Sequence, residues 1–275
     1  MKAIKHDFDK PKSNCGIVGV CGHPDAAIFA YQGLYALQHR GQESSGIVSS
    51  DGENLFRHVG MGLVNEAFSD ISLLEGLKGH IAIGHNRYST TGSTMLHNAQ
   101  PFLVNFKEGP LAISHNGNLV NSKSVRLRLV AEGAIFQSTT DTEIVLHLMA
   151  RSQKNSLMER IQDAFSQLQG AYSMVLMTRN KLIGIRDPRG WRPLCLGKME
   201  DCYFIVSESC ALDLIGAEYL REIEPGEILV LNKDRVQSHR LAEKAERKAC
   251  IFEYVYFHGR TAKYLMRTWT GHAVN

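Results

Sequence analysis

The residues best suited to chemistry in this 275-residue sequence are a cysteine that follows a polar leader, an Asn-Gly pair, an arginine and an aspartate. Cys15 opens the apolar run Cys15-Gly-Ile-Val-Gly-Val-Cys-Gly22, directly after Met1 to Asn14. If that leader were removed, Cys15 would carry both a thiol and a free α-amine. An α-amine with a pKa of roughly 7.7–8 can serve as general base for its own side chain and activate it as a nucleophile. The competing reading is a small buried hydrophobe at the start of a strand. Asn116-Gly117, in Ile113-Ser-His-Asn-Gly-Asn-Leu119, also has two readings. Asn-Gly suits a type I′ hairpin turn, which the sequence favours. The alternative is an oxyanion hole, with the Asn116 amide and the Gly117 N–H aimed at one oxygen.

Arg87, in His85-Asn-Arg-Tyr-Ser-Thr-Thr-Gly92, ends an apolar run. It could grip a carboxylate with two parallel hydrogen bonds or be a surface arginine. Asp141 is explained equally well as an acid favoured by a helix N-terminus. His39-Arg40-Gly41-Gln42-Glu43-Ser44 reads as an ordinary C-terminal turn after a helix. His80, His85, His97 and His115 show no metal-ligand spacing.

These residues need elements to position them. A buried strand is expected from Cys15, then a helix from an Asp25 cap to about Gln38. Strands follow near 45–50, 55–59 and 81–87, and two extended runs flank Asn116-Gly117 between Leu111 and Val120. Ser122 caps a helix ending at Gly133, Thr140-Asp-Thr-Glu143 has capping-box spacing, and a further helix spans about 156–168. Strands at 171–178, 181–186, 203–207, 227–231 and 250–257 complete the pattern, with Asp187-Pro-Arg-Gly190 as a turn. Strands, paired helices and strands again predict an α+β domain of two sheets with helices outside them.

Composition narrows the class. Apolar residues are 44% and charged residues 21%, as in ordinary globular chains. The net charge of +3 and the lack of a basic run argue against nucleic acid as a partner. No apolar run approaches the ~18 residues of a membrane span. The six cysteines include no Cys-x-x-Cys pair, and the leader has no apolar core of a secretory signal. A cytoplasmic enzyme with reduced thiols is the expectation.

Taken together, Cys15, His39-Arg-Gly-Gln-Glu-Ser44, Arg87-Tyr-Ser-Thr-Thr-Gly92, Asn98-Ala-Gln-Pro-Phe102, Ser114-His-Asn-Gly-Asn-Leu119 and Asp141-Thr-Glu143 closely resemble class II glutamine amidotransferases. Within them the similarity is to the branch that delivers ammonia to phosphoribosyl pyrophosphate (PRPP) at the start of purine biosynthesis. Arg186-Asp-Pro-Arg-Gly-Trp-Arg-Pro-Leu194, Ser207-Glu-Ser209 and Glu224-Pro-Gly-Glu227 strengthen it. The branch that forms glucosamine 6-phosphate is the nearest alternative, and an inactive fragment or a subunit-interaction module is the alternative of another class. The resemblance implies the N-terminal-nucleophile fold, an αββα four-layer sandwich. It implies Cys15 as nucleophile, Asn116 and Gly117 as oxyanion hole, Arg87 on the glutamine α-carboxylate and Asp141 on its α-ammonium, with Arg40 and Gly41 lining the pocket. It also implies that residues 1–14 are a removable propeptide and that whole family members form homo-oligomers.

The resemblance runs from Cys15 to Phe257 and stops there. The Mg²⁺-dependent PRPP loop of the family, acidic and Gly-rich, does not occur in this sequence. Cys250 stands at one ligand position of the [4Fe–4S] cluster found in some members, and four ligands are usual, so a complete cluster is not expected. Residues 258–275 match nothing in the family. Back-translation with one added base at codon 258 can restore the family's Ala-Arg-Pro-Asp-Ser, so a frameshifted tail is expected.

Overall fold

The computed structural model describes residues 15–88, 95–233, 235–241 and 245–248. The leader 1–14, the strand expected at 250–257, Cys250 and the tail 258–275 lie outside the described residues.

Along the chain the elements are β1 (Gly16–Cys21), α1 (Ala26–Ala36), β2 (Ser44–Ser50), β3 (Leu55–Met61), α2 (Val64–Ala67), α3 (Ile71–Glu75), β4 (Ile81–Arg87), β5 (Phe102–Phe106) and β6 (Gly109–Leu119). Then come α4 (Ser122–Ala131), α5 (Thr142–Arg151), α6 (Leu157–Ser166), β7 (Gly170–Met177), β8 (Leu182–Arg186), β9 (Cys195–Met199), β10 (Cys202–Val206), α7 (Cys210–Ile215), β11 (Glu218–Glu222), β12 (Glu227–Asn232) and β13 (Arg235–Arg240). Seven strands form one sheet in the order β11-β9-β10-β1-β4-β2-β3, and six form the other in the order β13-β12-β8-β7-β6-β5. All strand pairs within them are antiparallel.

Three apolar clusters hold four layers together. Val18, Val20 and Phe204 of the first sheet meet Leu34 of α1 and Leu212 of α7. Ile17, Ile83, Val175, Ile205 and Leu229 fill the space between the sheets. Met174 and Ile185 of the second sheet meet Val145 of α5 and Ile161 of α6. Alternate residues of β1 thus go to different clusters, as a period-2 strand buried on both faces requires. This is the expected αββα sandwich.

Local details differ from the sequence expectation. Asn116 and Gly117 do not turn: they sit inside the continuous strand β6, opposite Ser173 and Tyr172 of β7. Pairing with β7 along Ala112–Leu119 holds this stretch extended and overrides the local turn preference. The capping box at 140–143 is also absent. Asp141 occupies the N-cap position of α5 without capping it. The Glu143 carboxylate instead accepts from the N–H groups of Gln137 and Ser138 at 2.8 and 2.7 Å. A reciprocal capping box does form at Ser156 and Glu159, starting α6. Asp25 precedes α1 but makes no side-chain cap bond, and α1 gives way to a 3₁₀ turn at Gln38–Arg40. Asn121, rather than Ser122, stands at the N-cap of α4.

Strands β5, β9, β11 and β13 and helices α2, α3 and α7 have no counterpart in the sequence expectation. Three of those strands, β5, β11 and β13, are sheet edges. Glu218-Tyr-Leu-Arg-Glu222 and Arg235-Val-Gln-Ser-His-Arg240 carry charge, as exposed edges commonly do, and so lack an apolar run to mark them.

Candidate active site

Cys15 lies one residue before β1, where the register of β1 on β4 (Gly16 opposite Asn86) brings it level with Arg87. Its side chain is buried. Its Sγ sits 3.5 Å from the Tyr88 N–H, which donates to it, and 3.6 Å from the Tyr88 carbonyl, to which it donates. Burial pushes the thiol pKa up, against the opposing pull of the Tyr88 N–H and the positive charges of Arg87, Arg40 and Arg192. The resting group is therefore a thiol that needs a base to become a nucleophile.

Arg40 is fully buried. Its Nε donates to the Cys15 carbonyl at 3.2 Å, and its Nη1 is ion-paired with Glu208. Glu208, also fully buried, is held down to about 2: burial opposes its ionisation, but the Arg40 charge and the His39 hydrogen bond prevail. Arg40 thereby fixes the backbone of Cys15. The next residue, Gly41, lies so close to β4 that a Cβ there would meet the Arg87 carbonyl carbon at 2.7 Å. Only glycine allows that approach.

Asn116 is fully buried, and among the described residues neither its Nδ2 nor its Oδ1 has a hydrogen-bond partner. An unpartnered buried amide is uncommon and calls for an explanation. Gly117 has φ +148°, and a Cβ there would fall 2.1 Å from the Ala171 carbonyl oxygen. Two links tie this stretch to Cys15. His85 of β4 donates from Nε2 to the His115 carbonyl at 3.0 Å, bridging the two sheets. Burial drives His85 down to about 3, so it remains neutral. Ser173, opposite Asn116, donates to the carbonyl of Arg192, whose charge acts on the Cys15 thiol.

Arg87 donates from Nη1 to the Asn98 carbonyl at 2.9 Å, and its Nε lies 3.6 Å from Glu43. Asn98 and Thr139 bond reciprocally, side chain to side chain at 2.9 Å and Thr139 N–H to Asn98 Oδ1 at 3.0 Å. That clasp ties the Arg87 region to the loop carrying Asp141. Asp141 accepts the Leu119 N–H at 2.8 Å and faces His115 Nδ1 at 3.4 Å. Burial disfavours its charge, but His115 and the Leu119 N–H outweigh that and hold its carboxyl below the usual range. An ionised carboxylate and a guanidinium are thus held by one connected network.

Sequence reasoning gave no role to Tyr88, Asn98, Gln100, His115, Arg192 or Glu208. Their signal was present, since Asn98-Ala-Gln-Pro-Phe102 and Ser207-Glu-Ser209 belong to the family-like motifs. Their partners are distant in sequence, however. Gln100, for example, receives the His115 N–H at 2.9 Å and donates to Thr142 Oγ1 at 3.1 Å.

The glutamine amidotransferase domain family matches residues 85–213. The chain is 50% identical over 253 residues to amidophosphoribosyltransferase 1, chloroplastic, of Arabidopsis thaliana, covering 91% of this chain and 44% of that protein. It is 46% identical to the Bacillus subtilis amidophosphoribosyltransferase, covering 88% of this chain and 51% of that one. The solved B. subtilis glutamine PRPP amidotransferase, complexed with ADP and GMP, superposes with a TM-score of 0.86 at 44% identity, over 90% of this chain and 54% of that chain. The chain therefore spans about half the length of the curated relatives it matches. Its double antiparallel sheet between helices, with a cysteine leading a central strand, is that of a glutamine amidotransferase domain with the N-terminal-nucleophile fold. Within that family, its sequence and fold are similar to the amidophosphoribosyltransferases over about half of their length. Among the described residues no helix is long and apolar enough to cross a membrane.

Proposed function

We propose that this chain hydrolyses glutamine to glutamate and ammonia, the half-reaction that in its branch supplies nitrogen to PRPP. The observation that carries the reading is Asn116, a buried amide with no partner among the described residues, on the strand stapled to β4 beside Cys15. A tetrahedral oxyanion is the partner such a donor lacks. Once the Asn14–Cys15 bond is cut, the freed α-amine takes the thiol proton as Sγ attacks the glutamine side-chain carbonyl. Asn116 Nδ2 and the Gly117 N–H stabilise the oxyanion. The amine returns the proton to the departing ammonia, and water hydrolyses the γ-glutamyl thioester. Arg87 holds the α-carboxylate and Asp141 the α-ammonium, with Arg40 and Gly41 shaping the ground beneath the nucleophile. The five cysteines among the described residues are free thiols, which supports a reducing compartment such as the cytoplasm.

The test follows glutamate and pyrophosphate separately when the 275-residue chain is incubated with glutamine, PRPP and magnesium. Glutamate without pyrophosphate is expected. Intact mass should show the active species lacking residues 1–14, because an acylated Cys15 nitrogen cannot act as base. Activity from protein that retains the leader would overturn the processing step. Pyrophosphate formed in step with glutamate would reveal a synthase site in this sequence. No glutamate from processed protein would favour the inactive-fragment reading.

Arg87→Lys should raise KM for glutamine about ten- to a hundredfold. A point charge cannot replace the planar fork, and a charge-assisted hydrogen bond contributes ~1.5–3 kcal/mol. Steady-state kinetics checks this, and an unchanged KM would mean that the α-carboxylate is held elsewhere.

A further inference from the structure

Around Glu208, the carboxylate paired with Arg40, three groups with metal-binding atoms converge. They are His39 Nε2, the Glu208 carboxylate and Cys210 Sγ, all within 4.8 Å of one another. Glu208 Oε2 lies 3.2 Å from His39 Nε2 and 3.6 Å from Cys210 Sγ. Zinc takes such ligands at about 2.0–2.3 Å in a tetrahedron, which separates O from N by roughly 3.3 Å and O from S by roughly 3.5 Å. The two edges that meet at Glu208 Oε2 already have those lengths.

Two supporting contacts resemble those around a metal. His39 Nδ1 is 3.2 Å from the Ala36 carbonyl, a contact that requires Nδ1 to carry the proton. Nε2 is then left facing the carboxylate, where it needs either a second proton or a cation. Arg40 holds Glu208 Oε1, and His39 Nε2 lies 3.2 Å from both carboxylate oxygens. Ligating histidines and carboxylates are commonly fixed in this way from behind. His39 is partly exposed, so an ion can reach the site from solvent.

We propose that His39, Glu208 and Cys210 form a binding site for a zinc-like divalent ion, with the fourth position open to water. Binding breaks the Cys210 S–H bond, releases that proton to solvent and forms the sulfur–metal bond, with no change of redox state. The site is independent of the glutaminase reading, because its test measures binding.

The probe is cobalt(II), added to the full chain after chelator treatment. One equivalent should produce tetrahedral visible bands and a thiolate-to-cobalt charge-transfer band, both removed by zinc. Cys210→Ser should abolish the charge-transfer band. His39→Gln should weaken binding by at least the ~10–100-fold seen when even the groups behind metal ligands are lost. Cys15→Ser and Cys250→Ser should keep the spectrum, and circular dichroism should confirm that each variant is folded. As a second readout on the unmutated chain, zinc should protect Cys210 from alkylation, scored by peptide mass. No tetrahedral cobalt spectrum from folded protein, or a thiolate band that survives Cys210→Ser, would overturn the site.

Discussion

Asn116→Leu is expected to lower kcat for glutamine hydrolysis by ~10²–10³-fold, the usual effect of removing one oxyanion donor, while leaving the protein at least as stable. The two effects separate because of how Asn116 is placed. Its side chain is fully buried, and neither amide atom is paired among the described residues, so folding gains no hydrogen bond from it. A buried polar group without a partner costs about 1–3 kcal/mol. Leucine of similar size relieves that cost without opening a cavity. KM should change little, since the interaction is made in the transition state. Steady-state kinetics and denaturant unfolding of the same preparation provide the check. A kcat within a few-fold of the parent would remove Asn116 from the mechanism. A large loss of stability would show that its amide is satisfied in the folded protein.

Glu208→Gln should destabilise the domain by ~3–5 kcal/mol at neutral pH, because it leaves the Arg40 guanidinium buried without its counter-charge. The pH dependence gives this loss a signature. The folded protein holds the Glu208 carboxyl at about 2, well below its ordinary value of 4.5. The pair's contribution is therefore fully present above about pH 4.5 and is lost as the pH falls toward 2. The gap between parent and variant should close over that interval, as followed by urea unfolding at several pH values. A gap that stays constant would mean that the charge on Glu208 is not what stabilises the pair. The variant should also turn over glutamine more slowly, since Arg40 holds the Cys15 carbonyl.

Much of this design is visible in the chain itself. Apolar runs with β-strand length and Gly punctuation mark β1, β4, β7, β8 and β12, because a strand buried on both faces has little choice of residue. Residue chemistry also marks the parts of the site: a cysteine after a polar leader, an arginine that can match a carboxylate, an acid that can match an ammonium. The sequence could not decide what Asn116-Gly117 does. The same dipeptide satisfies a hairpin turn locally, and only pairing with β7 holds it inside a strand, with the Asn116 amide unpartnered among the described residues. The same holds for Asp141, whose carboxylate leaves its own helix to accept the N–H of Leu119, 22 residues away in sequence. Arg40 and Glu208 are 168 residues apart, and nothing in either segment announces the other. Residue type and short-range pattern determined which groups were available and where strands would run. Partners for buried charges and amides depend on long-range register, which arises only when the two sheets close over one another.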